Sequence, residues 1–264
     1  MDRPAGSGPP PTGALLPGVC CPVVELRQYT LRPGRREVLV ELFDRELVEP
    51  QEALGMRILG QFRDLDAPDR FVWLRGFTDM DSRLAGLTAF YDGPVWAEHA
   101  AAANATMLDS DDVLLLRPAG PGTGFPDTAP RPPRRPDGAA PAHGADPVLT
   151  ATVYPVTSAD AEQELLDHLH TRVDPVLAEA GRRPVAELRT RTAVNTYPAL
   201  PIREGEHVVV RVARYASLAE HAAYELRLRR SPGWQEEIRP ALLGRLTGPP
   251  QRLRLQPTPR SGLR

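Results

Sequence analysis

Glu25, Arg27 and Tyr29 alternate along VVELRQYTL, and Phe71, Trp73, Arg75 and Phe77 alternate along RFVWLRGF. Alternation places each set on one face of a strand. An acid, two arginines and two large aromatics sharing a face would suit a small anionic or aromatic ligand. Arg27 and Arg75 would hold an anion or a carbonyl. Tyr29 and Trp73 would stack or donate hydrogen bonds. Glu25 is one acid/base candidate. His99, three residues after Trp96 and on the same helical face, is the other. The competing reading is a satisfied Arg–Glu network in a domain interface, with no ligand.

Other chemistry is excluded by what the chain lacks. All 32 Lys+Arg positions are arginine. A Schiff-base, P-loop or kinase-type lysine is therefore ruled out, because arginine stays protonated and replaces none of them. No GxSxG, HExxH or ribose-acid GxGxxG pattern occurs. His168 and His170 point different ways on one helix, and His207 has no partner in the pattern, so no metal site and no cofactor are expected. Cys20 and Cys21 are adjacent, a spacing that disfavours a disulfide and points to free thiols in a reducing, cytoplasmic setting. No apolar run is long enough for a membrane helix. A net charge of −2 recruits no nucleic acid.

The elements that must position these residues come in two sets. A strand opens at Val23, a helical pattern runs from PGRREVLVELFDRELVEPQ, and strands follow at LGMRILGQFRD and RFVWLRGF. Thr78 with Asp81 reads as a helix cap, GPVWAEHAAAANATM as a further helix and DDVLLLRP as a closing strand. After a Pro/Gly-rich stretch the order repeats, with PVLTATVYPV, a helix ending at Gly181, RPVAELRTRTAVN, HVVVRVARY, a helix capped by Ser217 and Glu220, and PQRLRLQP. The pairs Phe77/Tyr215, Pro94/Pro232 and Trp96/Trp234 share one spacing, so the chain is an old duplication. The tryptophans read as packing anchors.

Each half is a β-α-β-β-α-β, ferredoxin-like unit, and the fold class is α+β. Expected boundaries are a disordered tail at 1–21, domains at 22–118 and 148–257, a linker at 119–147 and a short tail at 258–264. Two such sheets face each other in an α/β barrel, formed within one chain or between two. With Val24, Leu26, Val72 and Leu74 assigned to the helix side, the polar set would point into the barrel. The second half offers Thr150, Thr152 and Tyr154 opposite Glu25, Arg27 and Tyr29. Arg211 and Ala213 stand opposite Trp73 and Arg75. The first half is therefore the expected site.

VVELRQYTLRPG, FVWLRGF and FYDGPVWAEHAAAANATM…DDVLLLRP resemble the NIPSNAP family, and the second half looks like a divergent copy. That resemblance implies a dimeric α/β-barrel fold and little about chemistry. The fold is shared with cofactor-independent monooxygenases and haem-binding barrels. Three functions follow as expectations: a small-molecule binder of undetermined activity, a non-enzymatic scaffold, or a monooxygenase-like or haem-binding enzyme. His99 would be the first haem ligand to test.

Overall fold

A computed structural model describes residues 20–126, 131–133 and 147–264. The first half runs β1 (Val23–Leu31), α1 (Arg36–Leu42), a π-helical turn (Phe43–Leu47), α2 (Val48–Ala53), β2 (Arg57–Asp64), β3 (Arg70–Phe77), α3 (Met80–Tyr91), α4 (Pro94–Asn104) and β4 (Met107–Pro118). The second repeats it as β5 (Val148–Val156), α5 (Ala159–His168), a π-helical turn (Leu169–Val173), α6 (Asp174–Glu179), β6 (Pro184–Thr190), β7 (His207–Tyr215), α7 (Leu218–Arg230), a π-helical turn (Trp234–Ile238), α8 (Arg239–Leu243) and β8 (Gln251–Pro257). The strands close one antiparallel barrel in the order β1-β3-β2-β8-β5-β7-β6-β4. Each half supplies four adjacent strands, and closure occurs within the chain at the β2–β8 and β4–β6 seams.

The two halves share one strand register. Val23 pairs with Phe77 and Val148 with Tyr215, so the corresponding strands sit alike in both halves. The cross-strand pairs Glu25/Arg75 and Arg27/Trp73 correspond to Thr150/Ala213 and Thr152/Arg211.

The facing of the strands corrects the sequence reading. Val24, Leu26, Val72 and Leu74 point into the barrel, where they join Leu149, Val153, Val210, Val212 and Leu255 in a filled apolar core. Glu25, Arg27, Tyr29, Trp73 and Arg75 lie on the outer face, beneath the helices. An eight-stranded barrel has room inside only for side chains that interlock, and compact aliphatic ones fill it. The longer polar and aromatic set goes to the wider space between sheet and helices. Because the interior is filled, an interior haem has no place in it.

Further boundaries also differ. Helix α3 is capped by Asp79 and Ser82, one residue on from the expected start. Strand β6 ends at Thr190, and residues 191–206 are irregular. Cys20 and Cys21 form a disulfide. Apart from these two, the expected N-terminal tail lies outside the described residues, as do 127–130 and 134–146 of the linker. The rest of that linker is partly structural: Phe125 is buried in the barrel core, and Arg131 pairs with Glu52 at 2.7 Å. The expected C-terminal tail is packed as well. Ser261 and Thr258 are fully buried, Leu263 joins the barrel core, and the Thr258 hydroxyl donates to Asp44 at 3.0 Å. Among the described residues, no helix is long and apolar enough to cross a membrane.

Candidate functional site

In the first half, β1 and β3 carry the predicted residues side by side. Glu25 is at the centre of three guanidinium groups. Arg75 donates to Oε2 from Nη2 at 2.7 Å and from Nε at 3.0 Å, Arg27 donates to Oε2 at 3.0 Å, and Arg83 of α3 donates to Oε1 at 2.7 Å. Glu25, Arg27, Arg75 and Arg83 have no exposed surface. Burial alone would raise the Glu25 carboxyl, but Arg75, Arg27 and Arg83 outweigh it and hold it well below the usual carboxylate range. Arg27 Nε donates to the Tyr29 hydroxyl at 3.1 Å, and Arg75 lies over the Trp73 ring at 4.9 Å. The predicted set is thus assembled, but as a closed network without solvent access. Sequence reasoning missed Arg83, whose partner lies far away in the chain.

His99 is elsewhere. It is half-buried on α4, 4.0 Å from Glu46 of the Phe43–Leu47 turn, and is not among the partners of Glu25. Among the described residues no group of His, Cys, Asp or Glu is arranged to hold a metal.

The equivalent space in the second half is open. A cleft of about 500 Å³ lies between the outer face of β5, β7 and β8 and the helices above. Thr150, Thr152, Tyr154 and Arg211, the counterparts of Glu25, Arg27, Tyr29 and Trp73, form its floor. His221 lies in α7 at the place Arg83 holds in α3, four residues after the N-cap in each case. Threonines replace a glutamate and an arginine, alanine replaces Arg75, and the lost side-chain volume becomes the cleft. That volume difference was readable in the sequence once the halves were aligned.

The lining is cationic and aromatic. Arg182, Arg211, Arg229, Arg239, Arg252 and Arg254 contribute, against the acids Asp66 and Glu225. Arg211 and Arg182 share Asp174, at 2.6 Å and 3.1 Å. Arg211 Nε lies 2.9 Å from Glu187 Oε2 at an angle unsuited to a hydrogen bond, and its Nη1 is buried without a hydrogen-bond partner. Burial and the neighbouring Arg211 lower the Arg182 pKa. Such a group gains from a bound anion.

Tyr215 packs edge-on against His221, with centroids 4.8 Å apart, and lies 5.1 Å from Tyr224. Burial and the Tyr224 hydroxyl push Tyr215 up, so it is a neutral donor. Burial also lowers His221, only partly opposed by Glu225, which keeps the imidazole neutral near pH 7. Trp234 closes one side.

Residues 24–120 match the NIPSNAP family model. The first half of the chain is a NIPSNAP domain. It contains the filled Glu25 network, whereas every cleft residue except Asp66 lies beyond it. No curated protein matches the sequence. Among solved structures, an anthrone oxidase-like protein superposes with a TM-score of 0.56 at 19% identity, covering 89% of this chain and 91% of its own. A candidate monooxygenase from Fusobacterium nucleatum gives 0.54 at 10% identity, covering 92% and 94%. Another, from Lactobacillus acidophilus, gives 0.51 at 12% identity, covering 90% and 94%. These likenesses establish the fold over both halves, beyond the NIPSNAP domain.

Proposed function

We propose that this protein binds a small anionic aromatic molecule in the cleft of its second half. One observation carries the reading: the position that Glu25, Arg27, Arg75 and Arg83 fill in the NIPSNAP domain is open in its duplicate. Tyrosines and a tryptophan wall the opening, and arginines outnumber acids there. Arg211 and Arg182 would hold the anion, the former through its unpartnered Nη1. Tyr154, Tyr224 and Trp234 would sandwich the ring, and Tyr215 would donate a hydrogen bond. The proposed ligand class is the one expected from the sequence, and the proposed site is in the other half.

The test is titration with benzoate, followed by tryptophan fluorescence, with a Trp234→Phe variant separating the cleft signal from that of Trp73 and Trp96. Saturable binding is expected, weakened at least about tenfold in an Arg182→Met/Arg211→Met variant that remains folded. If benzoate and larger aromatic carboxylates fail to bind, the reading is wrong and the scaffold alternative stands.

His221 favours a second reading, cofactor-independent oxygenation. A buried imidazole kept neutral beside an aromatic pocket can accept a proton from an activated C–H or O–H of the ligand. The resulting carbanion or phenolate would pass electrons to dioxygen. The same-fold proteins named as an anthrone oxidase-like protein and monooxygenases make this the first chemistry to assay, by oxygen uptake with phenolic substrates. Uptake that His221→Asn leaves unchanged refutes this role.

A further inference from the structure

Residues 191–206, the long β6–β7 connection, lie over the NIPSNAP domain, whereas the corresponding β2–β3 turn, residues 65–69, leaves the second half open. The long segment is anchored at its ends. The Arg191 amide donates to the Leu115 carbonyl at 2.9 Å and the Arg203 amide to the Val113 carbonyl at 2.8 Å. Between these anchors it reaches down to the Glu25 cluster. Arg83 Nη1 donates to Asn195 Oδ1 at 3.1 Å and to Thr196 Oγ1 at 3.2 Å. The Tyr197 ring stacks on Tyr91, with centroids 6.0 Å apart and planes at 27°.

Two oxygens on a guanidinium and a ring on an aromatic face are the contacts an aromatic carboxylate would make. The mimicry is incomplete in one respect. Both loop oxygens are neutral, and Arg83 Nη2 is buried with no hydrogen-bond partner. The cluster holds three guanidinium groups against one carboxylate. A ligand carboxylate would supply the missing negative charge and take both Nη atoms in a fork.

We propose that Asn195, Thr196 and Tyr197 are a built-in occupant of a second ligand site, on the NIPSNAP domain, that takes an aromatic carboxylate when they swing out. The site is separate from the open cleft and does not depend on it. The counterparts of Arg83 and Tyr91 on α7, His221 and Arg229, line that cleft, so both sites use one place in the repeated fold.

The experiment is calorimetric titration of the full-length protein with benzoate, comparing the unaltered chain with Asn195→Gly/Thr196→Gly/Tyr197→Gly. The altered chain should bind one equivalent more than the unaltered one, whether or not the open cleft binds benzoate, so the two readings fail independently. Adding Arg83→Met should abolish the extra equivalent. Should the triple variant not fold, Tyr197→Ala alone should tighten uptake at this site about tenfold. In the unaltered protein, benzoate at concentrations well above those of the titration should outcompete the loop and speed amide exchange across residues 191–206. Equal stoichiometry in both chains, with no change in exchange, overturns the proposal.

Discussion

Replacing Glu25 by Gln tests whether the first-half network is the structural keystone of the NIPSNAP domain. The substitution keeps shape and removes one charge. Three guanidinium groups then remain at zero exposure with no carboxylate among them. Breaking a buried ion pair from one side costs about 3–5 kcal/mol. Here one carboxylate serves three partners, so the loss should reach the upper part of that range. For a chain of this size that corresponds to a fall in Tm of about 6–20 °C. Urea unfolding would measure it, with the slope checked so that a changed unfolded state is not mistaken for lost stability. The pH dependence is a second readout. Because the folded carboxyl titrates well below its unfolded value, its contribution is fully present above about pH 4.3. It is lost as pH falls toward the folded-state value. Glu25→Gln should remove that acid-sensitive component. A loss under about 1 kcal/mol would refute the reasoning and mean that water or a bound anion already screens the arginines.

Three further outcomes follow from other sites. Phe125→Ala should cost about 3–5 kcal/mol, because its ring is buried in the barrel core; a free linker residue would cost almost nothing. Tyr29→Phe should destabilise by about 1–3 kcal/mol by leaving Arg27 Nε without an acceptor in a dry site, measured as a shift in urea midpoint. His221 should titrate below the ordinary histidine range by NMR. Its contribution to stability is present above about pH 6.5 and declines as pH falls through the lowered folded value, so His221→Asn should flatten the stability profile on that side.

Much of this architecture was legible in the sequence, for identifiable reasons. Strands β1, β3 and β7 are runs rich in β-branched and aromatic residues bounded by turns or loops, so their limits could be read directly. Pro94, Gly181 and Ser217 mark helix ends by mechanisms that need no tertiary context. The shared spacing of Phe77/Tyr215 predicted that the two halves repeat one element order, and they do share that order and the strand register. Facing was not legible, because both alternating sets of β1 are buried. One set enters a narrow barrel and the other lies under helices, and periodicity cannot say which. The cleft escaped notice because the first half was richer in functional side chains. Those chains fill their own space, and Thr150, Thr152 and Ala213 leave room by being small. Arg83, Phe125 and Ser261 depend on contacts far apart in the chain, which local pattern does not encode.

The central claim is that the repeated fold keeps a filled position in the NIPSNAP domain and an open, ligand-binding one in the other half. Crystals of the protein soaked with 4-bromobenzoate would test it through the anomalous signal of bromine. The account predicts a peak in the second-half cleft, with the ring against Trp234 or Tyr224 and the carboxylate on Arg211 or Arg182. Probe bound only outside that cleft, or nowhere at saturating concentration, would contradict it.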